Sequence, residues 1–464
     1  MFLDIDKKNK KSIAAVDDEG IEISYEGLCD FSNEFFSFIG KRSLLFILSE
    51  NCIGSLAGYV ASMSKKVVPL ILSSKMDKDL INNLISIYKP KYLWCPENMS
   101  LKWNYTTLYR KYKYLLIETD LKSFQLNESL SLLLSTSGST GSPKLVRHSY
   151  RNIVESAKNV ANMFDLKKYD KAIAVLPLHY TMGLSVINSH LFSGSTVLLS
   201  KKSLSDKDFW KFIKDEKATS FTGVPFSYEF LSRIGFLKMD LPDLKLITQG
   251  GGKLKDELFK EYAKFAKKSN RRFIATYGQT EGTARMTYLK PDMAIKKTGS
   301  IGKAIPNGRL EIIDDNDKLI KGNKAKGELV YYGSNVTLGY ANNGKDLAKG
   351  DENNGFLKTG DIVKRDQDGY YYIIGRKNRF LKLFGLRISL DELQQMIISN
   401  FPTDCNCIGN DKKMIVQITN KKLKEEISNF IVEKTGLYHH SFQIIYQEII
   451  LRNEAGKPVY IDCL

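Results

Sequence analysis

Cysteine is scarce in this chain and dispersed where it occurs. Six of 464 residues are cysteine, and only Cys405 and Cys407 stand close together. A single C-x-C pair with no histidine or second pair beside it makes a poor metal site. All six are therefore expected to be reduced thiols. Long apolar runs are missing too. Stretches such as Leu44–Leu48 and Val67–Leu72 fall far short of the roughly 20 residues a membrane span requires. The opening segment, Met1 to Lys11, is polar, carries Asp4 and Asp6, and has no apolar core of the kind a signal peptide needs. No zinc-finger spacing, RNP1-like string or arginine-rich arm is present, which removes the usual nucleic-acid modules. Disordered and low-complexity texture is likewise absent. A soluble, cytoplasmic globular protein is expected.

The composition that remains is ordinary for such a protein, with 43% hydrophobic and 26% charged residues. The length suggests about three domain-sized units. The formal net charge is +17. Excess charge of that size fits an acidic partner, but the lysines are scattered, which favours a solvated basic surface. The densest basic stretch, Lys7 to Lys11, is broken by Asn9.

Short apolar runs alternate with amphipathic stretches. Ser43–Leu48, Lys66–Leu72, Lys91–Cys95 and Tyr114–Glu118 read as buried strands; Tyr25–Ile39, Ile53–Met63 and Asp77–Tyr88 read as helices. The pattern continues through Ser131–Ser135, Lys171–Leu176, Thr196–Ser200, Leu244–Thr248 and Arg272–Thr276. Such alternation predicts an α/β fold with mostly parallel sheets covered by helices. After Pro306 strands become denser, as in Arg309–Ile313, Gly327–Tyr332, Ile362–Arg365 and Tyr370–Ile374, which predicts an antiparallel, barrel-like subdomain. The tail beyond Gly375 reads as a small α+β domain. The expected division is a large N-terminal domain over 1–377 and a small mobile domain over 378–464.

The strongest chemical signal is Ser135-Thr-Ser-Gly-Ser-Thr-Gly-Ser-Pro-Lys144. It follows an apolar strand and precedes a helical stretch beginning near Tyr150. Its hydroxyls and freed backbone amides can hold phosphate oxygens, and Lys144 adds a positive charge. A flexible Ser/Gly linker is the plainer reading, but a linker has no reason to join a buried strand to a helix. The P-loop of NTPases is excluded, because Pro143 and Leu145 flank the lysine where glycine and Ser or Thr are required.

Residues Thr136–Lys144 resemble the phosphate loop of the acyl-adenylate-forming superfamily, which includes acyl-CoA synthetases, luciferases and adenylation domains. Further motifs follow in that family's order. Tyr277-Gly-Gln-Thr-Glu281 ends a predicted strand, where parallel sheets present ligand-binding groups. The resemblance implies that Tyr277, Gly278 and Gln279 line the nucleotide, with Tyr277 stacked on adenine. It places Thr280 at the α-phosphate and Glu281 on Mg²⁺, a role that suits a hard carboxylate oxygen. Taken alone, this segment would read as a turn capped by Thr280. Asp361 of Thr359-Gly-Asp361 is implied as the ribose ligand and Arg376 as a ribose or phosphate contact. Asn378 falls at the hinge position, where the family usually carries Asp or Lys. Lys382 and Gly385 match a following loop, with Lys382 counted among the catalytic lysines. Near the end, Gly456-Lys457 matches the catalytic lysine, a compact point charge suited to neutralising the reacting carboxylate and phosphate.

Thr136, Ser137, Gly138, Ser139, Thr140, Gly141 and Lys144 are thus the implied phosphate ligands, and Gly250, Gly251 and Gly252 the adenine-side loop. His179, Tyr180, Gly183, Gly223 and Pro225 are the implied acyl-pocket wall. In this family the pair after Pro-Leu is usually aromatic then His; here it is His179-Tyr180, and a structural histidine at a helix start reads equally well. Amino-acid-activating relatives carry an Asp where Gly183 stands. A buried substrate ammonium without such a partner is costly, so an acid lacking an α-amino group is expected. The resemblance implies ATP and Mg²⁺ as cofactors and a two-step reaction ending in transfer to a thiol. A phosphopantetheine carrier protein is the favoured acceptor, since such carriers are acidic and this chain is basic. Free coenzyme A and an amino-acid-adenylating activity are the alternatives.

Overall fold

The computed structural model describes residues 1–99, 106–135, 144–383, 386–410 and 413–452. The chain forms two compact units: Met1–Arg309 with Tyr332–Leu357, and Leu310–Tyr331 with Lys358–Leu464.

The first unit is built on two sheets. One has nine strands. Its centre runs through Thr196–Leu199, Lys171–Ala174, Ser220–Gly223, Leu246–Gln249 and Arg272–Tyr277, all mutually parallel. The other has eight strands, with Tyr92–Pro96, Leu44–Ser49, Val68–Ser73 and Leu130–Ser135 parallel at its centre. Helix Ile53–Ser64 packs against strands of both sheets. It is buried all along from Ile53 to Met63, the condition in which a helix can be apolar on every side. Helix Tyr25–Ile39 begins where Ser24 accepts from the Gly27 amide and ends at Gly40 with φ 70°, a capped start and a left-handed stop. Nearly all expected elements are present with ends shifted by one or two residues.

Several strands escaped the sequence reading, among them Ile13–Asp17, Ser220–Gly223 and the two that follow. Thr106–Lys111 is a largely exposed edge strand. Leu145–Ser149 pairs antiparallel with Leu130–Ser135, with Ser135 opposite Leu145. The Ser/Gly loop therefore connects a β-hairpin, and strand Leu145–Ser149 intervenes before helix Tyr150–Met163. Arg147 and His148 hid this strand, because charged and polar residues mask an apolar run; both side chains are fully buried. Ser149 ends the strand and also caps the helix, exchanging hydrogen bonds with Asn152.

In the second unit a four-stranded sheet is ordered Arg309–Ile313, Ala325–Tyr332, Phe356–Arg365, Tyr371–Arg376. Beyond it lies a hairpin, Phe380–Leu383 with Leu386–Ser389. A three-stranded sheet follows, Cys405–Asn410, Lys413–Ile418 and Phe442–Tyr446. Helices Leu390–Asn400 and Lys424–Thr435 share its core through Ile397, Val416, Ile427 and Ile431. Cys405 and Cys407 are buried free thiols with sulfurs 3.8 Å apart, the expected result of i and i+2 sharing one strand face. Asn378 lies in the 3-10 turn Lys377–Arg379 within this unit. Among the described residues no helix is long and apolar enough to cross a membrane.

Two histidines of the first unit are wholly buried. Desolvation pushes His148 from the ordinary 6.5 down to about 3, and His190 down to about 4. Both stay neutral in the folded chain, while the unfolded chain takes up protons near pH 6.5. Folding stability should therefore be full above pH 6.5 and fall steadily between about pH 6.5 and 4. Urea midpoints measured across that range should show the fall, and His148→Gln should remove part of it, leaving the share due to His190. A midpoint independent of pH would contradict the assignment.

Candidate active site at the carboxyl edge of the parallel sheet

The carboxyl ends of parallel strands are where α/β sheets bind ligands, and several of the expected residues meet there. Strand Arg272–Tyr277 ends at that edge, and a single 3-10 turn, Thr280–Gly282, follows. The chain then doubles back, with the Met286 amide donating to the Tyr277 carbonyl, and returns as the antiparallel strand Thr287–Leu289. Gly278 makes this reversal possible. A Cβ there would lie 1.8 Å from the Ala284 carbonyl oxygen, far inside contact distance. Thr283 and Ala284 both take positive φ, 50° and 74°, a strained pair for residues with side chains.

Neighbouring strand ends close on this turn. Strand Leu246–Gln249 runs into Gly250–Gly252. A Cβ on Gly250 would sit 2.7 Å from Thr276 Oγ1 and 2.8 Å from Met182 Cε. One on Gly251, which has φ 78°, would sit 3.0 Å from Val224 Cγ1. Pro225 occupies the first turn of helix Pro225–Arg233, where its missing N–H costs nothing. At Gly183 a Cβ would meet the Pro177 carbonyl oxygen at 2.3 Å, so the backbone admits no side chain there. Tyr180 precedes helix Thr181–Ser193, and its ring lies 4.7 Å from that of His179. His179 Nδ1 is 3.4 Å from Ser49 Oγ.

Three residues that sequence reasoning did not single out hold the turn. Thr181 Oγ1 donates to Thr280 Oγ1 at 2.9 Å, joining the helix start to the turn. The Asn335 side-chain amide donates to the carbonyls of Gly282, at 2.6 Å, and Arg285. Tyr340 Oη donates to Glu281 Oε1 at 2.6 Å, and the Lys144 ammonium lies 4.8 Å above the Tyr340 ring. One tyrosine thus touches both the lysine that closes the Ser/Gly loop and the carboxylate expected to hold metal. The one local signal for it was Gly339, with φ 118°.

In the second unit, Asp361 and Arg376 are register partners on adjacent strands. Arg376 Nε reaches Asp361 Oδ1 at 2.7 Å, with the Asp361 side chain almost wholly buried. Lys382 lies on strand Phe380–Leu383, opposite Arg387. Thr136 to Gly141 and Lys457 lie outside the described residues.

With this geometry in hand, comparison with known proteins defines the class. The profile of the AMP-binding enzyme family matches residues 7–341, so the chain belongs to that family and to the adenylate-forming superfamily. Among curated relatives, 2-succinylbenzoate–CoA ligase of Bacillus licheniformis is 27% identical over 348 residues, 73% of this chain and 70% of that protein. Luciferin 4-monooxygenase of Photuris pensylvanica is 25% identical over 449 residues, 87% of this chain and 81% of that protein. The fold matches o-succinylbenzoate CoA synthetase from Bacillus subtilis, solved with its acyl-adenylate intermediate, at TM-score 0.80 and 19% identity over 99% of this chain and 96% of that one.

If the glycine-enabled reversal is what shapes the site, Gly278→Ala should lower nucleotide affinity at least tenfold, because relieving the overlap must displace Thr280 and Glu281. Isothermal titration with ATP would measure it. Undiminished affinity in a folded variant would show that the turn can relax.

Proposed function

We propose that the chain is an AMP-forming acid–thiol ligase: it joins AMP from ATP to a carboxylic acid, releases pyrophosphate, and passes the acyl group to coenzyme A. The observation that carries this reading is the convergence of Thr280, Glu281 and the Gly250–Gly252 loop at one sheet edge, in a chain of the AMP-binding enzyme family.

Thr280, oriented by Thr181, is placed to donate to an α-phosphate oxygen as the acid carboxylate attacks in line. Positioning and charge stabilisation supply most of the acceleration in such steps. Tyr277 offers a ring for the adenine, and Gly250–Gly252 allow close backbone approach. Phosphate contacts are assigned to 136–141 with Lys144, ribose contacts to Asp361 and Arg376, and the second lysine role to Lys382. Lys457 neutralises charge at the reacting centre in the first step. A turn about Asn378 would withdraw it before the thiol attacks.

The residues present fit Mg²⁺. Tyr340 holds one oxygen of Glu281 and leaves the other, and no group of three or more potential ligands occurs among the described residues. One protein carboxylate plus phosphate oxygens is the usual Mg²⁺ arrangement with nucleotides. When bound, the ion would draw charge from the phosphate oxygens.

Coenzyme A replaces the carrier protein expected from sequence as the favoured acceptor. Relatives named as CoA ligases support it, including a long-chain-fatty-acid–CoA ligase of Mycobacterium tuberculosis that is 26% identical. The closed space at Gly183 supports an acid without an α-amino group, because no Asp fits there to pair with an ammonium.

Three outcomes test this. Lys457→Ala should slow pyrophosphate exchange by roughly 10²-fold or more yet still convert a supplied acyl-adenylate to thioester; unimpaired exchange would remove the role. Tyr340→Phe should raise the Mg²⁺ concentration for half-maximal rate several-fold with melting temperature nearly unchanged. In a panel of acids offered with coenzyme A or a phosphopantetheinylated carrier, acyl-CoA should accumulate. Turnover with the carrier alone would reverse the acceptor assignment.

A further inference from the structure

The parallel strands present their carboxyl ends to the site described above. At their amino ends lies a second opening that the reaction does not use. Residues of the loop after helix Tyr150–Met163 and of the starts of strands Ser220–Gly223, Leu246–Gln249 and Arg272–Tyr277 line a cleft of about 120 Å³. A single water needs only about 10–15 Å³ of such space, so the cleft has room for a small molecule.

Its charges are not balanced. Lys167, Lys245 and Arg272 line it together with Asp165 and Asp170. Both acids are engaged. Asp165 is ion-paired with the Lys167 ammonium, which holds its carboxyl below the ordinary 3.8, with Arg272 a smaller influence. The buried Asp170 accepts the Lys167 amide through Oδ2 at 2.7 Å. Among the described residues neither Lys245 nor Arg272 has a carboxylate in ion-pair contact. The exposed Lys245 ammonium lies 5.8 Å from the centre of the Tyr169 ring, and Arg272 Nη1 donates to the Phe164 carbonyl at 2.7 Å.

The backbone holds these two cations side by side. Leu246 and Arg272 are register partners on adjacent strands, and the Arg272 amide donates to the Lys245 carbonyl at 2.8 Å. Adjacent strands run about 4.8 Å apart, so the two positive charges are neighbours whose repulsion an anion between them removes. The Phe164 carbonyl holds the guanidinium in advance, and a group held in advance loses less freedom on binding. The cleft's hydroxyls are already committed, Thr219 to the Lys171 amide and Ser220 to His190. Charge is therefore what the cleft offers a ligand.

We propose that this cleft binds a phosphate-bearing anion through Arg272 and Lys245. A phosphomonoester carries about −1.5 to −2 charge at neutral pH, which matches two cations where one carboxylate does not. A guanidinium fork takes two phosphate oxygens at once. Tyr169, 66% exposed beside Lys245, offers a ring face to an organic group attached to the phosphate. The site is separate from the reacting centre: Arg272 to Tyr277 is five steps of extended chain, about 16 Å. The inference goes beyond the ligase reading and stands without it.

The test is calorimetric titration of the full chain, Lys245→Glu, Arg272→Lys and Tyr169→Ala with orthophosphate and with phenyl phosphate at fixed ionic strength. Because the nucleotide site also takes phosphate, the difference between wild type and Lys245→Glu assigns the binding. Wild type should saturate, and Lys245→Glu should bind at least about tenfold more weakly, the loss of one charge-assisted contact and more. Arg272→Lys, which keeps the charge and loses the fork, should weaken binding less. Equal affinity for the two probes, unchanged in Tyr169→Ala, identifies free phosphate as the ligand. Tighter binding of phenyl phosphate, lost in Tyr169→Ala, identifies a phosphate ester. Equal affinity in wild type and Lys245→Glu, or no saturable binding of either probe, overturns the site. Pyrophosphate release by Lys245→Glu, expected at the wild-type rate, shows that the variant is folded and reports separately on the ligase reading.

Discussion

The 1.8 Å between a would-be Gly278 Cβ and the Ala284 carbonyl oxygen fixes everything around it. Only a residue without a side chain lets the backbone fold back so tightly that Tyr277 and Met286 remain hydrogen-bonded while eight residues are displayed between them. That display sets Thr280 and Glu281 beyond the sheet edge, facing the Gly250 loop and the start of helix Thr181–Ser193. The reversal costs energy. Two consecutive non-glycine residues with positive φ cost on the order of 1–3 kcal/mol each. Polar clamps offset it from several directions. Asn335 holds two carbonyls and accepts the Thr283 hydroxyl, Ser156 donates to the Thr283 carbonyl, and the Thr337 amide donates to that of Glu281. A turn held this way keeps the Thr280 and Glu281 side chains in place, the condition that positioning catalysis would require.

How much of this was legible in sequence follows from range. Helices such as Tyr25–Ile39 were readable because their periodicity and caps are local. So was the Tyr277–Glu281 segment, since a glycine after a strand and a Thr-Glu pair are written within a few residues. Strand Leu145–Ser149 was not. Its Arg147 is buried by carbonyls of Leu338, Tyr340, Lys349 and Gly350, and nothing near position 147 announces partners two hundred residues away. Tyr340, Thr181 and Asn335 were missed for the same reason. Each is a common residue type whose role exists only once distant segments are packed together. The sequence reading of the acceptor rested on different ground: net charge of +17 speaks to what a surface attracts and very little to which thiol enters a site.

That charge also looks different once the side chains are placed. Many surface lysines pair with nearby acids, as Lys201 and Lys113 do with Glu19. These pairs sit in water and contribute little each. The excess is spread over a solvated surface, in keeping with the plainer of the two sequence readings.

Arg147 and Arg285 then make a controlled comparison inside one unit. Both are arginines, both essentially inaccessible to water, and both belong to segments flanking the site. Arg147 spends its donors on backbone carbonyls and adds an ion pair with Glu352, the ordinary condition of a buried guanidinium. It braces the segment that carries Tyr340. Arg285 has the same chemistry, with only a ring face against it. Burial alone therefore does not account for the difference, because the fold demonstrably satisfies one such group.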